Sequence, residues 1–270
     1  MTLEGRRILV TGVLNQESLA WHAARDLQER GAELLLTSFG RMRRLTERAA
    51  RDLPRPADVL DLDATKAEDY AALAEELGRR WDRVDGVVHA IGGAPEGARD
   101  GHFLTTTPGE AEEAFRVSAW SLHGLVTALL PLLRRAEGGA SVVVLDFDNT
   151  TRAWAGYDWV GVSKAALQSV ARYLALYAGR DAVRVNLVSP GPIETVSGRS
   201  HRLFPGLLAR WTADAPLGWD PRDAEIVTGP IAFLLSGASR GMTGEVLRVD
   251  GGFHLAGYPV PDDWRAEDVA

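Results

Sequence analysis

The chain has 270 residues, 46% of them hydrophobic, which is enough for one domain with a large core. Acidic side chains outnumber basic ones by 37 to 30, giving a formal net charge of -7; this argues against nucleic acid as a partner, since counterion release needs a surplus of Lys and Arg. There is no cysteine, which excludes disulfides and thiolate chemistry, and only Lys66 and Lys164 among the basic residues are lysines. A lysine retained in so arginine-rich a chain is expected to do what a guanidinium cannot.

Short apolar runs alternate with longer stretches of helical period, the pattern of βα units feeding a parallel sheet. Seven strands are expected, at 7–11, 33–38, 58–60, 86–90, 141–146, 184–188 and 245–249. Helices are expected around 19–30, 41–51, 66–80, 109–135, 158–179 and 223–236. The strands are continuous in Val, Ile and Leu, as when helices cover both faces, so the fold class is a doubly wound α/β sheet of the Rossmann type in a single domain. The stretch 194–221 has no strand signal, three prolines and apolar residues at helical spacing, and is expected to form a lid over a binding site. A tail follows over 253–270. The N-terminus has no signal-peptide pattern and no window approaches the ~18 consecutive apolar residues of a membrane span, so a soluble, cytoplasmic protein is expected.

Ligands of such sheets lie beyond the carboxyl ends of the strands. The first strand ends at Gly12, but the spacing of a dinucleotide fingerprint is missing: Ser18 stands where a glycine is expected, and also reads as a helix N-cap. The second strand ends in Ser38-Phe39-Gly40-Arg41 without the acidic residue that binds a ribose 2′-hydroxyl, so Arg41 leaves a 2′-phosphate open. Asp61 and Asp63 read either as adenine contacts or as caps, and His89, between apolar neighbours, as a packed histidine. The most informative stretch is Tyr157-Asp158-Trp159-Val160-Gly161-Val162-Ser163-Lys164. With Tyr157 at a helix start, seven residues advance about 700°, which places Lys164 on the same face two turns on. A phenol can donate to an oxygen that becomes negative, and a lysine can bind ribose hydroxyls beside it.

These residues resemble a known family. The segments Gly5 to Gly12, Ser18 to Ala24, Asp85 to Gly92, Tyr157-Asp158-Trp159 with Lys164, Gly191-Pro192-Ile193 and Val249 to Gly252 are similar to those of the enoyl-acyl-carrier-protein reductases, a divergent branch of the short-chain dehydrogenase/reductases, and most closely to the mycobacterial, NADH-dependent type. Six residues separate Tyr157 from Lys164, where ordinary ketoreductases of the wider family have three. The resemblance implies NADH rather than NADPH as cofactor, a trans-2-enoyl thioester on acyl carrier protein as substrate, and a homotetramer. It implies that Tyr157 bonds the thioester carbonyl, that Lys164 holds the nicotinamide ribose and that Phe147 lies beside the nicotinamide and substrate. It implies cofactor contacts at Gly12, Ser18, Leu19, Phe39, Asp63, Ala64, Ala90, Ile91, Gly92, Gly191, Ile193 and Thr195, and no metal. Ala90, Gly93, Trp120 and the stretch 196–211 depart from the family pattern, which keeps a specialised-pathway reductase, or a non-catalytic NAD(H)-binding protein, as alternatives. Arg199, Arg202 and Arg210 would give the lid a basic surface for an acidic carrier.

Overall fold

A computed structural model describes residues 1–257 except Asn149. Seven strands form one parallel sheet: β1 (Arg7–Val10), β2 (Glu33–Ser38), β3 (Val59–Asp61), β4 (Gly86–His89), β5 (Ala140–Leu145), β6 (Val183–Pro190) and β7 (Val246–Val249). Their order is β3-β2-β1-β4-β5-β6-β7, so the winding reverses between β1 and β4 and opens a crevice there at the carboxyl edge. Each expected strand is present, with ends displaced by at most two residues.

Alternation along the strands divides the apolar side chains between two cores. Ile8, Val10, Leu34, Leu36, Val88 and Val143 face one cluster, completed by Ala23, Ala24 and Leu27 of helix α1 (Leu19–Glu29) and Val227 and Ile231 of a later helix, α9 (Glu225–Leu235). Leu9, Leu35, Val87, Val142 and Val144 face the other, packed by α3 (Ala67–Arg80), α5 (Ser121–Leu133) and α6 (Asp158–Ala178). Between these lie α2 (Arg43–Arg51) and α4 (Pro108–Phe115).

The expected single helix over 109–135 is interrupted. A π-helical turn at Arg116–Trp120 separates α4 from α5, and it turns both Ser118 and Ser121 inward, each fully buried. By length and mean hydropathy the run Pro108–Leu133 is apolar enough to cross a membrane, although it holds no unbroken apolar stretch of that length; half of its most apolar 18-residue window is buried inside the protein. The stretch 194–221 carries two helices, α7 (Val196–Arg199) and α8 (Phe204–Asp214). Phe204, Leu207 and Trp211, at i, i+3 and i+7, bury one face of α8. Trp211 stacks on Phe253 at 3.9 Å and donates through Nε1 to the Asp250 carbonyl at 3.0 Å, so α8 is fastened to the body of the domain. Of the expected tail, 258–270 lies outside the described residues.

Candidate active site

A cavity of about 370 Å³ opens beyond the carboxyl ends of β4, β5 and β6, lined among others by Leu19, Ala90, Ile91, Gly92, Phe147, Tyr157, Lys164, Gly191, Ile193 and Thr195. Tyr157 is the N-cap residue of α6, and Lys164 lies two turns along the same helix, so both reach this cavity as the spacing predicts. The Lys164 ammonium donates to the Leu145 carbonyl at 2.7 Å, which fixes the side chain across the end of β5. Burial holds its pKa below the ordinary lysine range, opposed by the negative charge of Asp146. Burial, reinforced by the charge of Asp100, holds the Tyr157 phenol above the ordinary tyrosine range; the group stays protonated at neutral pH and is available as a donor. Its ring stacks on two others, Phe147 at 5.0 Å and 13° and His201 at 5.0 Å and 14°.

Gly191 closes the cavity floor: a Cβ there would come within 2.6 Å of the Trp219 ring and 2.8 Å of Trp211. Gly92 faces Lys164, and a Cβ would lie 3.6 Å from Nζ. The Thr195 hydroxyl caps α7 by accepting from the Gly198 N–H at 3.0 Å.

Gly12, Ser18, Phe39, Asp63 and Ala64 do not line this cavity; they follow the carboxyl ends of β1, β2 and β3. Gly12 has φ +79°, and a Cβ would run into the Ala90 carbonyl, so the β1 turn and the end of β4 approach as closely as backbone allows. The Ser18 side chain is not the helix cap that its position suggests. Its Oγ turns back to accept from the Leu14 N–H at 3.0 Å and the Asn15 N–H at 3.1 Å, bracing the turn, and no side chain caps α1. Phe39 is 45% exposed immediately after β2. Asp61 and Asp63 are taken up within the chain: Asp61 pairs with Arg43 at 2.5 Å, and Asp63 accepts from the Thr65 N–H and hydroxyl at 3.0 and 2.7 Å. Lys66, 3.7 Å from Asp63, belongs to the same turn. His89 is buried and shares a 2.9 Å hydrogen bond with the Ser121 hydroxyl; burial, with the charge of Lys164, lowers its pKa to about 3, so it is a neutral core histidine.

Several residues escape sequence reasoning. Ser118, turned inward by the π-helical turn, accepts from the Gly93 N–H at 3.0 Å and donates to its carbonyl at 2.8 Å, which pins the loop after β4. Asp146, at the end of β5, is buried; Gln168 donates to its Oδ2 at 2.6 Å and to Thr150 at 2.8 Å, while Oδ1 has no partner. Arg99 and His201 also line the cavity. The basic surface expected on the 194–221 stretch is largely neutralised, because Arg199 pairs with Glu17 and Arg210 with Asp214. Among the described residues, no group of three or more His, Asp or Glu side chains is gathered to hold a metal.

A family model described as Enoyl-(Acyl carrier protein) reductase matches residues 12–254. The chain is 39% identical over 268 residues to an Enoyl-[acyl-carrier-protein] reductase [NADH] of Mycolicibacterium smegmatis, covering 93% of this chain and 96% of the relative. It is 36% identical to the corresponding protein of Mycobacterium avium over 93% of this chain and 96% of that one. Against the Enoyl-[acyl-carrier-protein] reductase [NADH] FabI of Neisseria meningitidis it is 35% identical, over 94% and 96% of the two chains. A family model over residues 12–254 and relatives matched over nearly the whole length settle descent: the chain belongs to the enoyl-(acyl carrier protein) reductase family.

Proposed function

We propose that the protein reduces the α,β-double bond of an enoyl thioester, carried on acyl carrier protein, with NADH as reductant. The observation that carries this reading is the placement of Tyr157 and Lys164 on one wall of the cavity at the sheet's carboxyl edge, with the phenol protonated.

The residues fit the cofactor. No side chain caps α1, so first-turn N–H groups remain for a pyrophosphate beside the turn that follows β1. Gly12, Ser18, Leu19, Phe39, Asp63 and Ala64 would hold the adenosine and phosphates; Ala90, Ile91, Gly92, Lys164, Gly191, Ile193 and Thr195 would hold the nicotinamide half. When bound, NADH supplies the hydride that adds at the β-carbon of the substrate.

Tyr157 donates a hydrogen bond to the thioester oxygen, which gains negative charge as the β-carbon is reduced, and so stabilises the enolate. Lys164 holds the ribose hydroxyls and keeps positive charge near that oxygen. Phe147 forms the wall that keeps the Tyr157 ring edge toward the substrate. The 196–204 portion of the 194–221 stretch acts as the lid. Arg202, the lid arginine without an acidic partner among the described residues, meets the acidic carrier. A second copy of the chain covers the apolar surface formed by the π-helical turn and α6, where Trp120, Tyr173, Leu176 and Tyr177 are 47%, 61%, 66% and 70% exposed.

The test is the near-ultraviolet absorbance decay of NADH with short and long enoyl thioesters, comparing the intact protein with Tyr157→Phe and Lys164→Ala. Turnover lost in Lys164→Ala supports the reading, and absence of turnover from a protein that binds NADH overturns it.

A further inference from the structure

We propose that the loop 99–101 is a clamp that ties the lid to the backbone around Tyr157, and that His201 is the positioning residue through which the closed lid fixes the phenol; this rests on the role given to Tyr157 above. The clamp grips on both sides of that residue. The Asp100 N–H donates to the Gly156 carbonyl at 2.8 Å, and the Gly101 N–H donates to the Asp158 carboxylate at 2.7 Å. Four residues of this contact have left-handed backbone: Asp100 at φ +59°, Gly101 at +100°, Gly156 at +81° and Asp158 at +44°. Two of them are aspartates; a positive φ is uncommon for a non-glycine residue, and Asp tolerates it better than most.

The same loop holds the lid. Asp100 Oδ1 accepts from the Arg202 N–H at 3.0 Å and lies 3.9 Å from His201 Nδ1. Arg99 pairs with Asp100 Oδ2 at 3.0 Å and donates to the Ser200 carbonyl at 3.2 Å. Between these anchors the His201 ring stacks on Tyr157 at 5.0 Å and 14°, as Phe147 does at 5.0 Å and 13°. Opening of the lid unstacks His201 and releases those contacts, which leaves the phenol ring with Phe147 as its stacking partner. Closure restores the second partner, and the phenol oxygen is then fixed where a displacement of ~1 Å is costly to rate.

The experiment is hydrogen–deuterium exchange by mass spectrometry on Asp100→Gly, which keeps the left-handed backbone and removes only the carboxylate, beside Asp100→Asn, which keeps an acceptor at Oδ1. Asp100→Gly is expected to speed exchange in peptides spanning 156–161 as well as 199–204, with Asp100→Asn restoring protection. Faster exchange in one segment only, or in neither, overturns the clamp, and this result does not depend on whether the protein reduces enoyl thioesters. In turnover assays His201→Ala is expected to lower kcat about tenfold at constant NADH affinity, and His201→Phe, which keeps a stacking ring, to recover most of the loss. A kcat in His201→Ala equal to that of the intact protein overturns the positioning role. Failure of the intact protein itself to turn over refutes the functional reading and leaves the clamp to be decided by exchange.

Discussion

Tyr157→Phe removes one oxygen and leaves the three-ring stack, because phenylalanine keeps the faces that meet Phe147 and His201 at 5.0 Å each. Its effect therefore reports the hydrogen bond to the thioester oxygen with little repacking. A bond to an oxygen that becomes charged contributes about 1.5–3 kcal/mol, and each ~1.4 kcal/mol is tenfold, so kcat is expected to fall roughly 10- to 150-fold. The phenol's raised pKa keeps the donor protonated across the neutral range, so the loss is expected to be the same at pH ~6 and pH ~8. NADH affinity, measured by fluorescence titration, is expected to change less than about threefold, since the interaction is made mainly as charge develops on the substrate. A fall in kcat below about threefold would refute the assignment of Tyr157 as the donor.

Other predictions follow from burial and charge. Lys164 must be charged to hold the ribose, and burial depresses its pKa, so kcat/KM is expected to fall as pH rises at values below the ordinary lysine range; Asp146→Asn removes the opposing charge and is expected to move that fall to lower pH in a pH–rate profile. His89 is depressed to about 3 from 6.5, so its contribution to stability is present above pH 6.5 and is lost as pH falls toward 3. The decline in Tm over that interval is accordingly expected to be shallower in His89→Gln. Trp211→Ala empties the site of a fully buried ring that fastens α8 and is expected to cost about 3–5 kcal/mol in denaturant unfolding.

The sheet was legible because its strands are covered on both faces and so read as unbroken apolar runs, and their alternation sorts Leu9 from Ile8 and Val10 between the two cores. The Tyr157 and Lys164 pair was legible because one helix carries both residues, and helical geometry follows from spacing alone. What depends on distant packing was not. The π-helical turn at Arg116–Trp120 leaves no periodicity signal; it accompanies contacts with residues distant in sequence, Ser118 with the Gly93 backbone and Ser121 with His89. Ser18 has the residue type and position of a cap, yet its hydroxyl is drawn to the Leu14 and Asn15 amides by the turn after β1. His201 and Asp100 meet around Tyr157 from far along the chain; an Arg-Asp-Gly turn sequence is the one local mark on Asp100, and none marks His201.

The most direct test of the central claim is product analysis by mass spectrometry of the intact protein incubated with NADH and an enoyl thioester on acyl carrier protein. The expected product is a saturated acyl thioester, formed in proportion to the NADH oxidised and lost in Lys164→Ala. An unreduced double bond with NADH bound, or reduction of a carbonyl group in place of the double bond, would contradict it.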